Sequence, residues 1–273
     1  MKTLAPTGAV RAALDRLIDY AGLFPPAMLP MDRALAEYQQ AQEGATSWML
    51  SRFIVKAEAL EALRACLTGR RRIELSVIAA PAMFEAVARA RHNDWAAIAS
   101  IEVPLGDTAI DACAQQLCAS ELDDVPVYVD LVRGRLAMDE LARHGLGAKL
   151  RCGGVEASAY PPVQDVATFI EGAIAAGVPF KATAGLHHPI RHFNEEAGVM
   201  MHGFLNVLLA AAYAGDVSRT RLVAILDEQD PAKLRLDDEA LMQRARQRFV
   251  AYGSCSFDEP VVDLRALGVL PTK

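Results

Sequence analysis

The chain has 273 residues, 52% of them hydrophobic, with 28 Lys and Arg against 34 Asp and Glu for a net charge of −6. That is ample apolar material for one sizeable core, and mild acidity without a basic run excludes electrostatic capture of nucleic acid or of an anionic membrane surface. The opening MKTLAPTGAVRAALDRL has no apolar h-region, the longest apolar run (residues 203–215) is too short to span a bilayer, and 5 cysteines without a C-x-x-C spacing suit a reduced, cytoplasmic protein.

The pattern along the chain is strand then helix, repeated. A first strand is expected over residues 17–20, with Asp19 near its end. Pro25 and Pro26 interrupt the chain, and residues 31–42 read as a helix. The second strand is expected over 47–51 (SWMLS), followed by Arg52 and a helix over 57–67. Strands over 73–79 (IELSVIA), 99–103 (ASIEV) and 127–131 (VYVDL) alternate with helices over 82–91, 107–119 and 138–143. The segment 147–188 then reads as strand, helix, strand. Lys149 and Arg151 share one face of its first strand, Lys181 and Thr183 share one face of its second, and apolar residues at helical spacing lie between. A long, mostly helical stretch over about 191–248 follows, with an insertion expected near 224–238. The eighth strand is expected over 249–253 and the last helix over 259–267.

Eight strands alternating with about as many helices predict a parallel sheet, and eight units in a chain of this length predict a closed, single-domain (β/α)8 barrel over residues 1–273. No G-x-G-x-x-G follows the first strand, which argues against a dinucleotide fold. In such a barrel the site lies at the C-terminal ends of the strands. Reading those ends in order collects Asp19, Arg52, Glu102, Asp130, Lys149 with Arg151, Lys181 with Thr183, and Ser254 to Ser256.

Two lysines on neighbouring strands are costly to bury unless paired or functional. One reading is amine catalysis, in which a lysine forms an imine with a carbonyl compound and the imine serves as the electron sink for C–C bond cleavage or formation. The other is an ion-pair network with Glu102 or Asp130, or the binding of an anion. Arg151 suits a substrate carboxylate or phosphate. Glu102 and Asp130 are expected to move protons or to hold the lysines, with Asp19 beside them. His187 and His188, in GLHHPIRH, fall on the active face as acid–base groups, and a metal-dependent hydrolase or isomerase built on them is the first alternative. No metal or other cofactor is expected under the leading reading. Ser254 and Ser256 in GSCS open a turn suited to an anion at a helix N-terminus.

AKLRCGG and PFKATAGLHHPIR resemble the sixth- and seventh-strand signatures of class I deoxyribose-phosphate aldolases, LIDYAGLFPPA is similar to their opening segment, and YGSCSFDEP to their phosphate-binding turn. The resemblance implies a (β/α)8 barrel without a cofactor. Lys149 would be the Schiff-base nucleophile, Lys181 its activating neighbour, and Glu102 the acid of the fourth strand. The chain departs from the family pattern at Arg151, where the family has a small hydroxyl residue, at Ala184, which replaces a turn glycine, and at the added His187 and His188. The expectation is therefore a lyase acting on a small, anionic carbonyl compound, with a homo-oligomer compatible with the sequence. A barrel that binds a small anion without turning it over is the second alternative.

Overall fold

The computed structural model describes residues 6–67, 72–92, 95–131, 137–154 and 156–272. Helix α1 (Gly8–Leu14) begins where the Thr7 side chain accepts a hydrogen bond from the Val10 amide, and buries Ala9, Val10, Ala13 and Leu14. Then come β1 (Ile18–Tyr20), α2 (Met31–Glu43), β2 (Leu50–Lys56), α3 (Leu60–Cys66), β3 (Ile73–Ile78), α4 (Phe84–Arg91), β4 (Ala96–Pro104) and α5 (Ile110–Ala119). The chain continues through β5 (Val127–Asp130), α6 (Met138–Arg143), β6 (Gly147–Arg151), α7 (Val163–Ala175) and β7 (Phe180–Thr183).

Among the described residues, eight strands, the last of them β10 (Phe249–Ser254), pair in parallel and close on themselves in the order β1-β10-β7-β6-β5-β4-β3-β2. This is the expected (β/α)8 barrel. Strands covered on both faces need apolar residues almost throughout, as in the buried Val127, Tyr128 and Val129 of β5. Polar residues inside such strands therefore stand out as the exceptions.

Three local differences from the sequence reading have physical causes. The Ser47–Met49 segment is a 3-10 turn, so β2 starts later than expected and Arg52 lies within it rather than after it. Trp48 and Met49 look like strand residues because they are large and apolar, yet the backbone turns there to aim β2 into the barrel. The stretch after β7 opens with an antiparallel hairpin, β8 (His192–Asn194) and β9 (Val199–Met201), before α8 (Phe204–Tyr213), α9 (Arg219–Asp227) and α10 (Glu239–Arg248). Finally, α1 is a short helix that the sequence reading left unassigned.

Helix α8 is apolar on nearly every face and is buried from Phe204 to Ala212, so it packs as a central element rather than a surface one. Strand β10 (Phe249–Ser254) returns to the barrel and leads into α11 (Asp258–Ala266). Among the described residues, no helix is long and apolar enough to cross a membrane.

Candidate active site

The barrel interior is polar at mid-height. Asp19 on β1, Ser76 on β3, Tyr128 on β5 and Lys181 on β7 come from alternate strands, the arrangement by which a barrel fills one interior layer. They meet around the Lys181 ammonium. Its Nζ lies 2.5 Å from Asp19 Oδ2, 2.6 Å from Glu102 Oε1 and 2.9 Å from Ser76 Oγ, and 5.6 Å from the centroid of the Tyr128 ring. Glu102, on β4, bridges the two lysines, for its Oε2 lies 2.7 Å from Lys149 Nζ. Lys149 and Lys181 are register partners on β6 and β7, which is why one carboxylate reaches both.

Hydroxyls complete the cluster. Ser76 donates to Glu102 Oε1 at 2.8 Å, and Ser100 donates to Ser76 Oγ at 2.7 Å. On the other side, Asp19 Oδ1 accepts from the Arg52 amide at 3.0 Å, with Arg52 Nη1 at 3.5 Å.

Burial alone would push the Glu102 carboxyl up, but the two lysines overcome it and hold Glu102 ionised, well below the usual carboxylate range. For Lys181, burial favours the neutral amine, and Asp19 with Glu102 more than offsets it, so its pKa is raised. Lys181 is thus a fixed cation. Its side chain is 1% exposed, against 6% for Lys149, which has Glu102 as its ion-pair partner. Burial raises the Tyr128 hydroxyl as well, keeping it protonated.

A second pair stands toward the mouth. Asp130 is the register partner of Lys149 and lies two residues beyond Tyr128, so alternation places it on the interior face. Arg151 lies two residues beyond Lys149 on the same face, about 6.6 Å further along the strand. Arg151 Nη2 lies 2.5 Å from Asp130 Oδ2; the arginine side chain is 54% exposed and the aspartate 12%.

The remaining candidate residues lie around the rim. Thr183 ends β7 opposite Arg151, and its carbonyl accepts from the Cys152 amide at 2.9 Å. Ala184 follows in the left-handed region (φ 59), where the resemblance calls for glycine. His187 Nδ1 lies 3.3 Å from Glu259 and 3.7 Å from Cys255 Sγ, and His188 Nδ1 lies 2.6 Å from Asp263. Both histidines therefore take their acid partners from α11 rather than from the strands, and burial lowers the His187 pKa. Among the described residues, no three His, Cys, Asp or Glu side chains converge so as to hold a metal ion.

Ser254 donates to the Ser256 carbonyl at 2.6 Å, and Ser256 Oγ accepts from the Glu259 amide at 3.2 Å. Ser256 thus meets the first turn of α11, which carries Asp258 and Glu259, while Ser254 holds the turn before it. Two carboxylates therefore stand in the helix turn beside these hydroxyls.

Lys149, Lys181, Glu102 and Asp19 thus come together in one cluster with Arg52 at its edge. Asp130 and Arg151 form a separate pair above it, and His187, His188, Ser254 and Ser256 engage the rim helix. Sequence reasoning missed Ser76, Ser100 and Tyr128. Two of them carried a signal: Ser76 is a small hydroxyl within an apolar strand, and Tyr128 is in phase with Asp130.

No protein-family model matches the chain, and a search of curated proteins finds no relative. Solved structures similar in shape include mandelate oxidase with 3,3-difluoro-2-hydroxy-3-phenylpropionic acid, at 10% identity and TM-score 0.44 over 92% of this chain and 74% of that one. Mandelate oxidase with (S)-2-phenylpropionate matches at 12% identity and TM-score 0.43 over 94% and 78%. Likeness this slight carries no chemistry, and the barrel rests on its own strand pairing.

Proposed function

We propose that this barrel is an aldolase-type lyase in which Lys149 forms a Schiff base with a small carbonyl compound bearing an anionic group. The observation that carries the reading is the shared carboxylate: Glu102 joins Lys149 to Lys181, and Lys181 is itself fixed as a cation by Asp19. Three cations (Lys149, Lys181, Arg52) face two carboxylates (Asp19, Glu102) within the cluster. Burial of unbalanced charge is costly, so a neutral amine or a substrate anion relieves the excess. Arginine does not surrender its proton, and Lys181 is enclosed by two carboxylates and a serine. Lys149 is the more exposed amine, at 6% against 1%, and the one with fewer partners.

In the reaction, Lys149 Nζ adds to the carbonyl carbon, and the carbinolamine loses water to give an iminium ion. Cleavage of the bond between the α and β carbons sends its electron pair toward the iminium, forming an enamine and releasing the β carbon as a carbonyl product while a base takes the proton of its hydroxyl. Reprotonation at carbon and hydrolysis then return free Lys149. Lys181 and Glu102 act as a fixed electrostatic frame around the nitrogen.

The test is borohydride trapping with a panel of small aldehydes and keto acids, read by intact mass and peptide mapping. The expected result is an adduct on Lys149 that Lys149→Met abolishes and that still maps to Lys149 in Lys181→Met if that variant folds. An adduct confined to Lys181 would reverse the assignment. No adduct, together with tight anion binding, would favour a barrel that binds without turnover.

A further inference from the structure

Lys149 and Asp130 are register partners on adjacent strands, and Arg151 lies two residues beyond Lys149. An aldol-type reaction at Lys149 needs a carboxylate near the carbons next to the iminium. Glu102 is buried between two lysines, and Asp19 is buried between Lys181 and the Arg52 backbone. Neither is placed to accept a substrate proton. Among the described residues, Asp130 is the strand carboxylate at the mouth, and the guanidinium of Arg151 occupies it. That guanidinium is more than half exposed, so the pair is weak and readily exchanged.

We propose that Arg151 is an anion-operated switch on Asp130: the carboxylate or phosphate of the substrate draws the guanidinium away, and the freed Asp130 acts as the catalytic base next to the Lys149 iminium. This rests on the Schiff-base reading of Lys149 and adds its substrate rule. In the partial reaction, Asp130 takes a proton from the carbon beside the iminium, and the C–H electron pair forms a C=C bond as the C=N pair moves onto nitrogen, giving an enamine. The same carboxyl returns a solvent-derived proton to carbon. Nothing is oxidised or reduced. A neutral carbonyl compound leaves Asp130 paired with Arg151 and so loses rate, not only affinity. A substrate anion also gives the cationic interior the negative charge it lacks.

The full-length protein tests this with acetone, a neutral ketone, by following deuterium exchange at its methyl groups in D2O by proton NMR. Acetate and inorganic phosphate are added separately as detached anions. The expected result is a saturable acceleration on the order of tenfold, a fraction of the ~10²–10⁴ that a positioned base supplies. The more effective anion identifies the substrate as carboxylate- or phosphate-bearing. Arg151→Met should exchange acetone at the activated rate without any anion, and Arg151→Lys should keep part of the activation. Asp130→Asn should abolish exchange while acetone is still trapped on Lys149 by borohydride. Absence of anion activation in the unaltered protein, activation that persists in Arg151→Met, or exchange that survives in Asp130→Asn would each overturn the switch. Intact trapping in those cases leaves the Lys149 reading standing, whereas loss of trapping in the unaltered protein would remove both.

Discussion

Lys181 and Lys149 look interchangeable in the sequence, yet their surroundings predict different consequences of removal. Lys181 neutralises Asp19 and part of Glu102 deep in the barrel. Lys181→Met leaves those carboxylates facing only Lys149 and Arg52, and breaking a buried pair in this way costs about 3–5 kcal/mol. Lys149→Met instead leaves both carboxylates still paired with Lys181, so it should cost less than half as much. Urea unfolding of both variants checks the ordering, and equal losses would refute this difference in pairing. The pH dependence has a definite sign. Because the Lys181 pKa is raised in the folded state, its contribution is fully present below the unfolded lysine value of about 10.4 and is lost as pH rises through the higher folded value. The stability gap between the unaltered protein and Lys181→Met should therefore be flat from about pH 6 to 9 and narrow only in stronger alkali.

At the scale of elements, the segment between β7 and β10 is tied down by a buried polar knot. Arg191 Nε donates to Asp227 at 2.9 Å, the Arg191 amide donates to Asn206 Oδ1 at 2.9 Å, and His202 Nε2 lies 2.7 Å from the Pro161 carbonyl, linking the hairpin to the loop before α7. Burial pushes the His202 pKa down to about 4, opposed by the Pro161 contact. A histidine depressed in the folded state contributes fully above its unfolded value of about 6.5 and loses that contribution as pH falls toward 4, for a total of roughly 3 kcal/mol. His202→Gln should flatten the stability profile between about pH 6.5 and 4, and an unchanged slope would place the acid sensitivity elsewhere. The hairpin carrying this knot was not legible in advance, because its strands are only three residues long and sit beside a strongly apolar helix. The barrel strands were legible because burial on both faces makes them apolar, so that Lys149, Lys181 and Glu102 stand out against that background. Which carboxylate meets which lysine was not, since that depends on register between strands distant in sequence. The serines of the 254–256 turn show the limit of local pattern: a hydroxyl suited to an anion is equally suited to a main-chain partner, and here Ser254 donates to the Ser256 carbonyl while Ser256 accepts from the Glu259 amide.

A closed barrel must join its first strand to its last, and this chain does so across nearly its whole length. The seam is held by the Ala21 amide donating to the Ser254 carbonyl at 2.7 Å and the Tyr252 amide donating to the Leu17 carbonyl at 2.9 Å. Arg246, near the end of α10, locks it from below. It donates to the Phe249 carbonyl at the start of β10, to the Asp15 carbonyl at 3.1 Å and to the Arg16 carbonyl at 3.4 Å, just before β1. The Arg246 side chain is half-buried, and its guanidinium reaches three main-chain carbonyls at the barrel floor. Replacing it leaves those acceptors short of a charged donor, each such bond being worth about 1.5–3 kcal/mol and the set less than additive. Arg246→Leu should therefore lower stability by about 3 kcal/mol, and the loss should be local. Amide hydrogen exchange at Ala21 and Tyr252 should quicken more than at β3–β5, whose pairing does not pass through the seam. Asp19 lies on β1, so loosening this seam should also release Lys181 from one of its two carboxylates and reduce borohydride trapping at Lys149. Uniform exchange with full trapping would mean that strand pairing alone closes the barrel and that Arg246 is dispensable to the site.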